Sequence, residues 1–115
     1  MRNPIATGTI LLATGLIWGS TAHAQEGKSA AQSLGCTACH AAENKLVGPA
    51  YVDVAEKYGG DKAKILERMK AAVENGSSGT WADVTGGTPM PPQPQAAGKD
   101  EQLGQIAAWI ASMAE

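Results

Sequence analysis

The sequence predicts an all-α domain of four or so short helices, and three observations predict it. Residues 62–74 and 100–113 each carry apolar side chains on one helical face. No alternating pattern of strand type appears anywhere in the chain. Gly35, Gly59-Gly60 and Asn75-Gly76 stand where short helices would end.

Residues 1–24 read as an export signal. Arg2 supplies a short positive start, and 5–18 (IATGTILLATGLIW) is mostly apolar. That stretch is about 14 residues, short of the roughly 18 to 20 needed to span a bilayer, which disfavours an uncleaved anchor. Ala22 and Ala24 place small residues at −3 and −1, so cleavage is expected before Gln25. The mature domain is then 25–115, with no membrane span left.

The helices follow in order. Residues 28–34 (KSAAQSL) form a short helix stopped by Gly35, and 37–49 lack periodicity and read as loop. A second helix covers 51–58 (YVDVAEKY). Asp61 can cap the third, 62–74, whose Ile65, Leu66, Met69, Ala72 and Val73 share a face. Residues 77–98 are rich in Gly, Pro, Ser and Thr and read as a long loop, which a small domain retains only for a function. The last helix, 100–113, buries Leu103, Ile106, Ala107, Ile110 and Met113, and Asp100 and Glu101 suit the positive end of its dipole.

Composition narrows the function. Without Arg2, eight basic side chains face eleven acidic ones, a net charge of −3 that excludes nucleic acid as a partner. The mature chain has no Phe and only four aromatics, Tyr51, Tyr58, Trp81 and Trp109. A domain this small needs more than that to fill a core, so a disulfide or a large cofactor is expected. A Cys36–Cys39 disulfide would close too short a loop to constrain much, which favours the cofactor.

The stretch GCTACH, residues 35–40, holds both cysteines of the chain. Four chemistries use such a pattern. Two thiols two residues apart can add to the vinyl groups of haem as thioethers, with the next residue, His40, placed to ligate iron. A redox dithiol normally sits in a βαβ context, which is lacking here. Structural zinc wants four ligands, and the mature chain offers only Cys36, Cys39 and His40. A small disulfide loop is the remaining alternative. Covalent haem c, one per chain, fits best.

His40 would fill one axial position. No second mature histidine exists, and the mature methionines are Met69, Met90 and Met113. Met69 and Met113 lie on apolar helical stripes and read as core. Met90 stands in Thr-Pro-Met-Pro-Pro, residues 88–92, where prolines restrict the backbone in advance, and it is the expected sixth ligand.

With His40 and Met90 in these roles, the mature chain resembles the small bacterial class I c-type cytochromes, the short periplasmic electron carriers. The resemblance rests on GCTACHAAENKLVGPAYVDVAEKYGG, KAAVENGSSGTW, PMPP and the closing IAAWIA, in that order. It implies the cytochrome c fold, with the Pro/Gly-rich loop carrying the Met ligand. It implies that Pro49 offers its carbonyl to the other imidazole nitrogen of His40. It likens Trp81 to the tryptophan that hydrogen-bonds a haem propionate, with plain loop packing as the alternative. Trp109 resembles the last-helix aromatic that packs on the first helix. Ala31 replaces a core aromatic, so a looser contact between the terminal helices is expected. Residues 82–88 make the segment before Met90 longer than in the shortest members. Gln93 stands where an Asn often bonds the Met sulfur, with the same amide on a longer arm.

The implied function is periplasmic electron transfer rather than enzymatic catalysis. Thioether ligation and an apolar shell both favour ferrous iron. Partners would be transient redox proteins, a reductase as donor and an oxidase or nitrite-reductase-like acceptor, with a monomer as the default. The resemblance puts docking on an apolar patch including Thr37, Ala42, Leu46, Pro91 and Pro92, while Lys45 and Lys57 read as solvated charges. A haem subunit of a periplasmic oxidoreductase and a haem-based ligand sensor are the alternatives.

Overall fold

Helix α5, Asp100–Ala111, is the element against which the others pack: α1 (Ser20–Ser33), α2 (Tyr51–Lys57) and α3 (Lys62–Asn75) all contact it. The computed structural model describes residues 20–115, and the expected signal segment lies largely outside them. A single 3-10 turn, Cys36–Ala38, follows α1, and a four-residue helix α4, Ala82–Thr85, precedes the proline run. Among the described residues there is no strand, only two isolated bridges. The all-α expectation holds.

Local chemistry explains the boundaries. The side chain of Asp61 accepts from the Lys64 N–H at 3.1 Å and caps α3 as expected. The first N–H groups of α2 have no partner in their own helix. Those of Tyr51 and Val52 donate instead to the carbonyls of Ala41 and Ala42, at 2.9 and 3.0 Å. The loop after the cysteine motif is thereby tied to the start of α2.

Two elements differ from expectation. Among the described residues helix α1 covers Ser20–Ser33, well upstream of the expected start near 28. Its upstream half has no apolar stripe, and Gly27 looks like a breaker, since glycine in a helix interior costs about 1 kcal/mol. The structure gives the reason for Gly27: a Cβ there would stand 2.3 Å from the Trp109 Cβ and 2.7 Å from the Gln105 carbonyl oxygen. The two terminal helices therefore cross in close contact. The looser packing expected from Ala31 is not what is seen, because Ala30 and Ala31 are buried in the crossing. The second difference is α4, which gives helical structure to part of the expected 77–98 loop, with Val84 and Thr85 bonding back to the Trp81 carbonyl.

The core is made of small side chains. Six of the thirteen buried apolar residues are alanines, and the largest fully buried ones are Ile65, Leu103, Ile106 and Ile110. Met69 and Met113 are only partly buried against this cluster. A core so poor in bulk leaves space, and that space is the site.

Candidate functional site

A cavity of about 400 Å³ opens between α3, α5, the cysteine motif and the proline loop. Its size lies in the range of small-molecule and cofactor pockets, roughly 300 to 1,000 Å³. All six candidate residues, Cys36, Cys39, His40, Pro49, Trp81 and Met90, line it. They come from distant parts of the sequence, so their convergence is a property of the fold.

The motif forms one wall. The 3-10 turn is closed by bonds from Cys39 N–H and His40 N–H to the Cys36 carbonyl, at 3.2 and 3.0 Å. The two cysteines are not joined in a disulfide, and both are half-buried at the cavity edge. Burial pushes the Cys36 thiol up from its ordinary value, partly offset by hydrogen bonding to the Tyr51 hydroxyl. No group of three His, Cys, Asp or Glu side chains among the described residues is arranged to hold an ion, which leaves the zinc alternative without support.

His40 is held on several sides. Its Nδ1 lies 2.8 Å from the buried Pro49 carbonyl. A carbonyl only accepts, so Nδ1 carries the proton and Nε2 keeps its lone pair. The Tyr51 ring stacks on the imidazole, with centroids 5.2 Å apart and planes 12° apart. Gly48 is packed so closely that a Cβ would stand 2.5 Å from the imidazole Cε1.

Met90 is fixed by backbone. Ser77 and Met90 exchange two hydrogen bonds, 2.9 and 2.8 Å, and the Gln93 N–H donates to the Val73 carbonyl at 2.7 Å. The loop is thus stapled to the end of α3. Gly76 makes the approach feasible: its φ of 77° suits glycine, and a Cβ would meet the Met90 carbonyl at 2.7 Å. The side-chain amide of Gln93 is used within the loop. Its Nε2 donates to the Pro91 carbonyl and its Oε1 accepts from Gln95. The contact considered between that amide and the Met90 sulfur is replaced by these bonds. Gln95 in turn donates to the Leu34 carbonyl at 3.1 Å, tying the loop to the end of α1.

Three residues escaped sequence reasoning. Arg68 lines the cavity on the otherwise apolar α3 face of Ile65, Met69, Ala72 and Val73, and it joins none of the salt bridges among the described residues. An arginine spaced i+3 from Ile65 was legible as an interruption of the stripe. Lys57 is not a plain solvated charge: its Nζ stands 4.9 Å over the Trp81 ring. Val47 is 54% exposed beside Leu46 at 47%, so the apolar surface near the motif is larger than expected.

The lining suits a haem. Two thiols, one imidazole with a free Nε2 and one thioether edge a space otherwise walled by Ile65, Val73, Leu103, Ile106 and Ile110. A flat apolar macrocycle fits such walls, and Arg68 and Trp81 offer a cation and an N–H to its carboxylates.

The comparisons with known proteins agree with this chemistry. The family model described as Cytochrome c matches residues 24–114. The chain is 40% identical over 105 residues to cytochrome c-551 of Pseudomonas aeruginosa, covering 89% of this chain and 90% of that protein. It is 42% identical over 83 residues to cytochrome c-552 of Hydrogenobacter thermophilus, covering 72% and 76%. The crystal structure of wild-type Nitrosomonas europaea cytochrome c552 superposes with a TM-score of 0.61 at 36% identity, over 75% of this chain and 98% of that one.

Proposed function

This chain belongs to the cytochrome c family, and from that premise we propose a periplasmic carrier of single electrons whose haem is held by Cys36 and Cys39 and ligated by His40 and Met90. The protein is an electron-transfer protein with covalently bound haem c. Bound there, the haem supplies a one-electron ferric/ferrous couple.

The observation that carries the ligand assignment is the Nδ1–Pro49 bond of 2.8 Å, which leaves the His40 Nε2 lone pair for iron at the edge of the shared cavity. Met90 lines the same cavity on a backbone stapled to Ser77. With His40 and Met90 both held as ligands, a bound haem iron would have no open site for a substrate, so the role is carriage rather than catalysis. The apolar walls of α3 and α5 exclude water and disfavour the extra charge of the oxidised state. Arg68 and the Trp81 indole N–H, both on the lining, would serve the carboxylates of a bound haem, and Lys57 packs over the Trp81 ring.

Docking is on the apolar rim near the motif. Thr37, Leu46, Val47, Pro91 and Pro92 are exposed there, and Ala42 partly so. A small patch with few charges suits a brief encounter with a redox partner. The export signal supports the compartment. Cleavage before Gln25 would remove Ser20 to Ala24 from the described part of α1 and would spare Gly27, Ala30 and Ala31, which do its packing, and the buried Leu34 just after it. No helix among the described residues is long and apolar enough to cross a membrane.

Met69 also lines the cavity, so the test compares the two methionines. The mature protein made with a haem-attachment system should keep its haem through acid extraction. Its oxidised spectrum should show the weak long-wavelength Met-to-iron band. Met90→Ala should abolish that band, and Met69→Ala should keep it. A band lost in Met69→Ala alone would move the ligand to α3. A wild-type spectrum without the band, with carbon monoxide binding at neutral pH, would favour a ligand sensor.

A further inference from the structure

We infer that Tyr51 is a positioning residue that fixes the rotational plane of the His40 imidazole. This rests on the reading of His40 as an iron ligand.

The Pro49 bond restrains that plane only loosely. It holds one ring atom, Nδ1, within the tolerance of a hydrogen bond, and the ring can still rock about the Cβ–Cγ bond inside that tolerance. The backbone does not choose the plane either, because χ2 of histidine is a broad torsion. A flat surface against the ring face removes the remaining freedom, and Tyr51 provides one: its ring lies 12° from parallel to the imidazole, with centroids 5.2 Å apart. That separation falls within the range of favourable offset stacking.

For Tyr51 to act as a template it must itself be immobile, and three features make it so. It is only 5% exposed. Its backbone N–H, at the start of α2, is bonded to the Ala41 carbonyl at 2.9 Å. Its ring meets Trp109 of α5 edge-on, at 5.4 Å and 70°. The orientation of the imidazole is thus passed from α5 through Trp109 and Tyr51 to His40. Pro49 fixes where Nε2 sits, and Tyr51 fixes how the ring is turned.

The plane matters because the imidazole π system interacts unequally with the two iron d orbitals of matching symmetry. Its orientation therefore biases where the unpaired electron of the oxidised protein resides. The pattern of haem methyl resonances in the oxidised proton spectrum reads that bias directly, which a merely space-filling role of Tyr51 would not move.

The test uses the holoprotein. Tyr51→Phe keeps the ring and should retain the wild-type order and spread of the methyl resonances. Tyr51→Leu removes the ring and should change that order or compress the spread, while the Met-to-iron band persists. An unchanged methyl pattern in Tyr51→Leu with the band intact would overturn the proposal. If Tyr51→Leu does not fold, the reduced, diamagnetic wild type decides. Cross-relaxation between the Tyr51 and His40 ring protons is expected, and its absence would overturn the proposal just as firmly. A wild type without the Met-to-iron band would instead count against the ligand assignment, so the two failures are distinguishable.

Discussion

The residues that touch His40 leave little room for substitution, and Gly48 is the tightest of them. A Cβ at 2.5 Å from the imidazole Cε1 cannot be accommodated without moving the ring or the loop. Gly48→Val should therefore cost about 1 to 3 kcal/mol of stability, the usual range for overpacking, and should lower the yield of haem-loaded protein. Thermal melting and the haem-to-protein absorbance ratio would check it. Cys36, Cys39 and His40 were legible as candidates from spacing alone, because thioether attachment and ligation would need those atoms adjacent in sequence. Tyr51, Gly48 and Lys57 were not, because what matters about them is which ring they face.

Between elements, the decisive contact is the crossing of α1 and α5. Gly27 permits it, and Gly27→Ala would place a methyl 2.3 Å from the Trp109 Cβ. That substitution would raise helix propensity in an isolated peptide, yet here it should destabilise the protein by about 1 to 3 kcal/mol. A chemical denaturation curve would show which effect wins, and a stabilised Gly27→Ala would mean the crossing is looser than described. The capping of α3 is simpler. Asp61→Ala should cost about 1 kcal/mol, since it removes the acceptor for the Lys64 N–H. The apolar stripes of α3 and α5 and the Asp61 cap could be read from periodicity and residue type. The upstream part of α1 could not, because its residues make no stripe and its glycine is chosen by Gln105 and Trp109, 78 and 82 positions away.

The whole domain is organised around a space that its own side chains do not fill. Nearly half of its buried apolar residues among those described are alanines, and the cavity of about 400 Å³ runs between α3 and α5. Leaving apolar walls without a partner forfeits both burial and dispersion energy. A Cys36→Ala, Cys39→Ala protein without haem should lose its near-ultraviolet circular dichroism and melt without cooperativity, with some helical signal remaining. A cooperative melt in that variant would show that the helices pack without the haem. The exposed Leu46 and Val47 act at the same scale, since they shape the surface offered to other proteins. Leu46→Asp should slow electron exchange with an apolar-patch partner several-fold while leaving the absorption spectrum unchanged, as stopped-flow mixing would show.

By itself the sequence determined the helical class and the covalent attachment of haem, and it singled out the histidine and the proline-flanked methionine that we propose as ligands. These depend on short-range properties: periodicity, adjacency of Cys36, Cys39 and His40, and the stiffness that prolines impose. The tertiary structure alone decided that Arg68 faces the cavity, that Lys57 covers Trp81, that Gln93 serves its own loop and that Tyr51 lies flat on His40. Those facts depend on the angle at which α2 and α3 meet α5 and on how closely α1 crosses it. Such angles are set by packing among residues far apart in the chain, and no local pattern encodes them.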